Sequence, residues 1–229
     1  MIDAGKTIDL LKLRMYNEWL YNHHVYDEEE SVLHKTITKE VVTHYIDPLE
    51  LSKDSVILDL GCGPGYFLDE MKEQGFSNIT GVTLSDVDSK LCIDKGHAIK
   101  KLDFSFLSSK EGFVDESVDL IFMRHALEHS PYPIFTLIEC NRVLKQGAKM
   151  YIEVPAPNCD RKFEFYPNHY SIMTDTQLAA LLIRTGFEIN KFNNLEFDVK
   201  YPDKEGKEVD AKEHYYCITV TKQKPLDIK

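Results

Sequence analysis

"VILDLGCGPGY", residues 56–66, decides the fold. It holds an apolar run of strand length with one acid inside it, then glycines at 61, 63 and 65. Such a run reads as a buried strand, and alternating glycines read as a turn that needs positive φ or a close approach to bare backbone. "YFLDEMKEQG" follows, with Asp69 and Glu70 early and Gly75 at its end. Acids suit the positive end of a helix dipole and glycine suits a left-handed cap, so this is a helix. Strand, glycine turn and helix make the first unit of a βαβ fold.

Outward from that unit the alternation repeats. "NITGVTL" (78–84) reads as a second strand and "SDVDSKLCIDKG" as its helix, with Ser85 or Asp86 as N-cap and Gly96 as the stop. "AIKKLDF" gives a weaker third strand, and "SVDLIFMRH" (117–125) a fourth. After Pro131 and Pro133 a helix carries Ile134, Leu137, Ile138 and Leu144 on one side and closes at Gly147. "KMYIEVPAP" is a fifth strand, and "TDTQLAALLIRTGF" a helix that opens on a capping box, Thr174 with Gln177, and stops at Gly186. "FEINKFNNLEFDV" and "EHYYCITVTKQ" are strands joined by the charged loop "KYPDKEGKEVDAK".

Ahead of all this, Ile8, Leu11, Met15, Trp19 and Leu20 fall at helical spacing, and "SVLHKTITKEVVTHYI" repeats the pattern. The predicted architecture is α/β: a doubly wound, mostly parallel seven-stranded sheet with an antiparallel C-terminal strand pair and an N-terminal helical layer. Residues 1–50 form a helical cap and residues 51–229 the main domain. In such a sheet ligands bind where the connections diverge at the carboxyl ends of the strands, and the glycine stretch sits at one of those ends.

Composition narrows the partners. A net charge of −11 and a pI near 5.3 disfavour a nucleic acid, because every cation that neutralises a phosphate works against that background. Apolar stretches fall short of the roughly 20 residues a membrane span requires. The N-terminus has charges through its apolar part and no small-residue cleavage pattern, so the expected location is cytoplasmic. The five cysteines, 62, 92, 140, 159 and 217, contain no CxxC pair and read as buried small hydrophobes. Neither a catalytic triad nor a metal cluster is legible from spacing, and the oligomeric state is left open.

The glycine turn excludes some guests. A Walker loop needs Lys followed by Ser or Thr, which is absent. A dinucleotide fingerprint wants a third glycine where Tyr66 stands, which counts against a nicotinamide-dependent oxidoreductase. "VILDLGCGPGYFLDEM", with "GVTLSD", "KLDFSFL", "SVDLIFMRHALEHSPYP" and "ECNRVLKQGAKMYIEVPAP" in that order, resembles the class I S-adenosylmethionine (SAM)-dependent methyltransferases, in their small-molecule branch. The resemblance covers roughly residues 50–190 and implies a Rossmann-like fold, SAM as cofactor and a small methyl acceptor, such as a sugar or a biosynthetic intermediate. It places Asp59, Gly61, Cys62, Gly63 and Gly65 against the methionine part of SAM, and Asp103 with Phe104 at the adenine. The family's ribose-binding acid is replaced by Thr83, so that role is shared among Thr83, Leu84 and Asp86. Arg124 and His125 fall at the end of the fourth strand, the position that in the resembled family faces the sulfonium.

Because imidazole titrates near neutrality, His125 is a candidate base, with His169 and Tyr170 in "RKFEFYPNHYSIMT" as further candidates. Glu128 and His129 in "ALEH" read as a structural helix-start element. His23, His24 and Tyr26 belong to a segment able to close over the cofactor. A SAM-binding regulatory protein without transferase activity is the other reading these residues allow.

Overall fold

The computed structural model describes residues 30–107, 112–202 and 206–223. Seven strands form one sheet: β1 (Ile57–Leu60), β2 (Ile79–Thr83), β3 (Ala98–Lys101), β4 (Val118–Arg124), β5 (Leu144–Pro155), β6 (Phe187–Pro202) and β7 (Glu208–Lys222). Their spatial order is β3-β2-β1-β4-β5-β7-β6. The first five pair in parallel, and β7 runs antiparallel to both β5 and β6. The order reverses between β1 and β4, so the connections leaving their carboxyl ends diverge and open a crevice there.

Alternation along the strands sends successive side chains to opposite faces. From β1 and β4, Leu58, Leu60, Ile121 and Met123 join one core cluster with Leu137 and Cys140 of α4 (Pro133–Val143) and Leu178 and Leu182 of α5 (Asp175–Arg184). Ile57, Leu120 and Phe122 join the other, with Phe67 and Met71 of α2 (Tyr66–Glu73). That second layer also takes Val41, Val42, Tyr45 and Ile46. They come from α1 (Val32–Val41), a π-helical turn (Val42–Ile46) and a 3-10 turn (Asp47–Leu49). An aromatic file crosses it: Phe67 stacks on Phe122 at 3.9 Å, Phe122 on Tyr151 at 5.2 Å, and Tyr151 meets Tyr45 at 5.0 Å. Both faces are therefore covered, as near-continuous apolar strands require. α3 (Asp86–Asp94) starts at Ser85, whose hydroxyl accepts from the Asp88 amide at 2.9 Å, and α5 carries the predicted Thr174–Gln177 capping box.

Two expectations are corrected. The helix expected to run to Gly147 stops at Val143, and Leu144 already has extended geometry and begins β5. The surplus residues are absorbed by a bulge: Val118 pairs with Leu144 and Leu120 with Lys149, and Gly147 sits at φ 77°. The charged loop 200–212 is mostly strand, because β6 and β7 pair from Phe187–Lys222 to Pro202–Glu208, with one register shift between Ile189 and Lys191. Among the described residues no helix is long and apolar enough to cross a membrane. His23, His24 and Tyr26 lie outside the described residues, as does the first predicted helix.

Candidate active site

Gly61, Gly63 and Gly65 all have positive φ, at 78°, 47° and 86°. At two of them the chain itself is the close neighbour. A β-carbon on Gly61 would lie 2.6 Å from Ala126 Cβ, and one on Gly65 would lie 2.8 Å from Cys92 Sγ. The amides of Gly61 and Cys62 both donate to Val82 O, and that of Gly65 donates to Cys62 O. Pro64 has no N–H, so among the described residues the turn's remaining backbone donor is Gly63. Beyond it starts α2, whose N-cap is Gly65 and has no side-chain cap. Its first-turn amides have no acceptor within the helix, which makes this end a seat for a carboxylate. Asp59, the third residue of β1 and 3% exposed, stands two positions before the glycine turn and supplies an anionic charge for an ammonium. An uncapped helix end next to a buried acid fits the amino-acid end of the expected cofactor.

The cradle continues along the strand ends. Thr83 is buried at the end of β2, and its Oγ1 accepts from the Ser85 amide at 3.1 Å. Leu84 is partly buried, whereas Asp86 is exposed and pairs with Lys101 at 2.5 Å. Asp103, after β3, accepts from the Ser105 amide at 2.8 Å, and burial raises its pKa. Phe104 packs against the core next to it. The Cys62 thiol is pushed well up by the adjacent Cys92 thiol and by burial, so it stays protonated.

Across the crevice, β4 ends in a charged network. Arg124 Nε donates to Glu153 Oε1 at 2.9 Å, and Tyr151 Oη donates to Glu153 Oε2 at 2.7 Å. His125 has φ 50°, an uncommon conformation for a non-glycine residue, and its amide donates to Glu153 O. Its ring lies between two carboxylates, Nδ1 at 3.4 Å from Glu128 and Nε2 at 3.1 Å from Glu153. Burial and the Arg124 charge press its pKa down, and the two carboxylates outweigh them, raising it to about 9. His125 is thus held toward its charged form, with a carboxylate facing each ring nitrogen. Burial pushes the Glu153 carboxyl up, but Arg124, His125 and Tyr151 prevail and hold it at about 2.

Glu128 and His129 sit on a 3-10 turn (Leu127–His129), and the segment bearing His169 is laced onto that turn. The amides of Tyr170 and Ser171 both donate to Glu128 O, at 2.7 and 3.0 Å, and Ser171 Oγ bonds Ser130 O. The rings of His129 and His169 meet edge to face at 4.9 Å. His129 Nδ1 bonds Asn168 O and His169 Nδ1 bonds Phe163 O, each at 2.9 Å. A carbonyl only accepts, so both rings carry a proton on Nδ1, and in the neutral ring the lone pair is then on Nε2. Tyr170, by contrast, is anchored through its backbone with a side chain 37% exposed.

Residues the sequence reading passed over complete the edge. Glu153 ties β4 to β5, and its signal was a lone acid inside the apolar run "YIEVP". Tyr215 of β7 sets its ring against His125 at 5.1 Å and donates its hydroxyl to Glu213 at 2.7 Å. Arg161 bonds Glu213 at 2.7 Å and Tyr166 Oη. No local pattern marks Tyr215, because only the antiparallel return of β7 brings it to the crevice.

A family model described as "Methyltransferase domain" matches residues 34–191. The ubiquinone biosynthesis O-methyltransferase of Nitrosococcus oceani is 30% identical over 125 residues, 47% of this chain and 50% of that one. The 27-O-demethylrifamycin SV methyltransferase of Amycolatopsis mediterranei is 24% identical over 164 residues, 68% of this chain and 60% of that one. The chain therefore spans about half to three fifths of these relatives' length. Among solved structures, a SAM-dependent methyltransferase from Archaeoglobus fulgidus superposes with a TM-score of 0.63 at 22% identity, over 82% of this chain and 94% of that one, a likeness of fold. A family model spanning well over half the chain, on a sheet of this order with this glycine turn, places the chain among the class I SAM-dependent methyltransferases.

Proposed function

We propose that this protein transfers a methyl group from SAM to a hydroxyl of a small-molecule acceptor. The observation that carries the reading is a contact. Ala126 rests on Gly61, so the turn that receives the cofactor and the segment bearing His125, Glu128 and His129 are locked side by side. A cofactor seat and a cluster of polar groups thus share one crevice. SAM supplies a methyl already activated on a sulfonium: the acceptor oxygen forms a bond to carbon as the sulfur–carbon bond breaks, its electron pair stays on sulfur, and the hydroxyl proton leaves.

The protein's share is alignment and proton handling. Asp59 and the first-turn amides of α2 hold the ammonium and carboxylate of the methionine part, Thr83 and Leu84 the ribose, and Asp103 with Phe104 the adenine. Thr83, buried at the end of β2, is favoured for the ribose over Asp86, which is exposed and paired with Lys101. His125, fixed between Glu128 and Glu153, acts as a positioning cation beneath the acceptor. Proton handling falls to the acceptor edge that carries Glu128, His129 and His169. Arg124 supports His125 through Glu153.

Oxygen as the acceptor atom is supported by the two curated relatives, whose names describe O-methylation or an O-demethyl substrate. A small acceptor rather than a nucleic acid is supported by the net charge of −11. Five buried free cysteines suit a reducing compartment, in line with a cytoplasmic location. Calorimetry tests the cofactor half: S-adenosylhomocysteine binds the full chain one to one, and Asp59→Asn weakens it about tenfold or more, the worth of a charge-assisted hydrogen bond. Appearance of S-adenosylhomocysteine from SAM across a panel of hydroxylated aromatics and polyols tests the other half. Tight binding with no turnover on any acceptor would favour a regulatory SAM-binding protein instead.

A further inference from the structure

We propose that Glu128, His129 and His169 form a binding site for a divalent first-row transition-metal cation at the acceptor edge of the crevice. One ligand atom from each of the three lies within 4.8 Å of the others. Coordination at about 2.0–2.2 Å from each atom puts tetrahedral ligands about 3.4 Å apart, so the separations must close by up to about 1.4 Å, a movement within reach of two side chains that are only partly buried.

Three independent features turn this proximity into a site. Glu128 is 1% exposed and its Oε2 has no hydrogen-bond partner among the described residues. A buried carboxylate oxygen without a partner costs free energy that a cation would recover. Both imidazoles are oriented as metal ligands commonly are, each Nδ1–H donated to a backbone carbonyl so that Nε2 of the neutral ring is the atom that would coordinate. Finally, the ligands are held together before any cation arrives. Glu128 and His129 are adjacent on one turn, and the His169 segment is pinned to Glu128 O through the amides of Tyr170 and Ser171.

Two imidazole nitrogens and one carboxylate oxygen favour zinc, iron, cobalt or manganese over magnesium or calcium, which prefer all-oxygen shells. Three protein ligands leave positions open on the side away from the core, where an acceptor hydroxyl can enter. There the cation lowers the hydroxyl pKa, and the proton leaves to solvent rather than to an imidazole. That consequence rests on the methyl-transfer reading, whereas the metal site stands on the geometry alone.

The test uses the full-length protein, stripped with a chelator and saturated with S-adenosylhomocysteine. Titration with Co²⁺ followed by visible absorption, and with Zn²⁺ by calorimetry, is expected to give one site per chain. His169→Ala and Glu128→Gln are each expected to weaken it by at least about tenfold, since even outer partners of metal ligands carry that much. His169→Ala guards against misfolding, because it leaves the buried Glu128 in place. Absence of one-to-one binding, binding unchanged in both variants, or an intense sulfur-to-cobalt band reporting a cysteine ligand would each overturn the site. S-adenosylhomocysteine affinity of the metal-free protein, measured in parallel, keeps the inferences apart: intact nucleoside binding without metal binding removes only the metal, and its loss removes the methyltransferase reading.

Discussion

Glu153 is the residue on which the charged end of β4 depends. It is 4% exposed, and it answers the Arg124 guanidinium, the His125 ring and the Tyr151 hydroxyl at once. Replacing it with Gln leaves Arg124 and His125 charged and half-answered in a buried layer, a loss of about 3–5 kcal/mol by the usual cost of removing one partner. The pH dependence has a fixed sign. Its carboxyl is depressed to about 2 in the folded protein, from an ordinary value near 4.5. Its contribution is therefore full above the unfolded pKa and is lost as pH falls through the interval from about 4.5 to about 2. Thermal unfolding from neutral pH downwards is expected to show wild-type Tm falling through that interval, with Glu153→Gln starting lower and falling less steeply. Parallel curves for the two proteins would show that the carboxylate is not the group responsible. At this scale the sequence was legible in part. His125 stood out at the end of the fourth strand and His169 in the aromatic-rich segment after the fifth, but Glu153, which faces the His125 ring from β5, and Asn168 O, which holds His129, lie 28 and 39 residues away, distances that no spacing rule reaches.

Between elements, the contact that organises the crevice is the glycine turn against the segment after β4. Gly61 is fixed as glycine for two separable reasons, a backbone at φ 78° and the Ala126 methyl that fills the space a side chain would need. Gly61→Ala incurs the left-handed cost of roughly 1–2 kcal/mol and a steric cost besides. Ala126→Gly alone loses about 1 kcal/mol or less through backbone entropy. In the double variant the missing methyl admits the new one, so the steric part is recovered and the left-handed part remains. Urea unfolding of the four proteins is expected to give a double variant more stable than the sum of the single losses by about 0.5–3 kcal/mol, the range for residues in contact. Additivity within a few tenths would mean the turn's conformation alone selects glycine. Strands β1 to β4 and the caps at Ser85 and Thr174 were legible because each is written locally, in apolar runs and in an oxygen-bearing residue ahead of a helix. The boundary at Val143 was missed because Leu144 continues the apolar spacing of α4 while its backbone is already extended.

Across the whole molecule the sheet divides its labour at the reversal of strand order. In the proposed reading the β1–β2–β3 side would carry the cofactor and the β4–β5–β7–β6 side the acceptor, the two meeting where the strand order reverses. The β6–β7 hairpin outruns β5, whose pairing with β7 ends at Pro155–Tyr215, and its extension passes over the loop that follows. Lys212 N donates to Asp160, Arg161 reaches Glu213 and lies 5.2 Å over the Tyr201 ring, and Phe163 links Tyr215 to His169. The extension was read as a loop because its pattern is charged. A hairpin that covers a loop on one face and meets water on the other has little apolar surface to bury, so the alternation that announces a strand is weak there. This division makes a separable prediction. Replacing residues 199–211 by Asn-Gly joins the paired positions Asp198 and Lys212 with a two-residue turn of the kind hairpins favour. The Arg161–Glu213 pair is retained and the Tyr201 cover is lost. S-adenosylhomocysteine affinity, measured by calorimetry, is expected to stay within about twofold, because none of the cradle is touched. With an acceptor in hand, KM is expected to rise about tenfold or more while kcat is largely kept, the pattern for a group that binds substrate and transition state equally. A fall in cofactor affinity of the same size would instead mean that the two sides of the sheet are coupled and that the hairpin belongs to both.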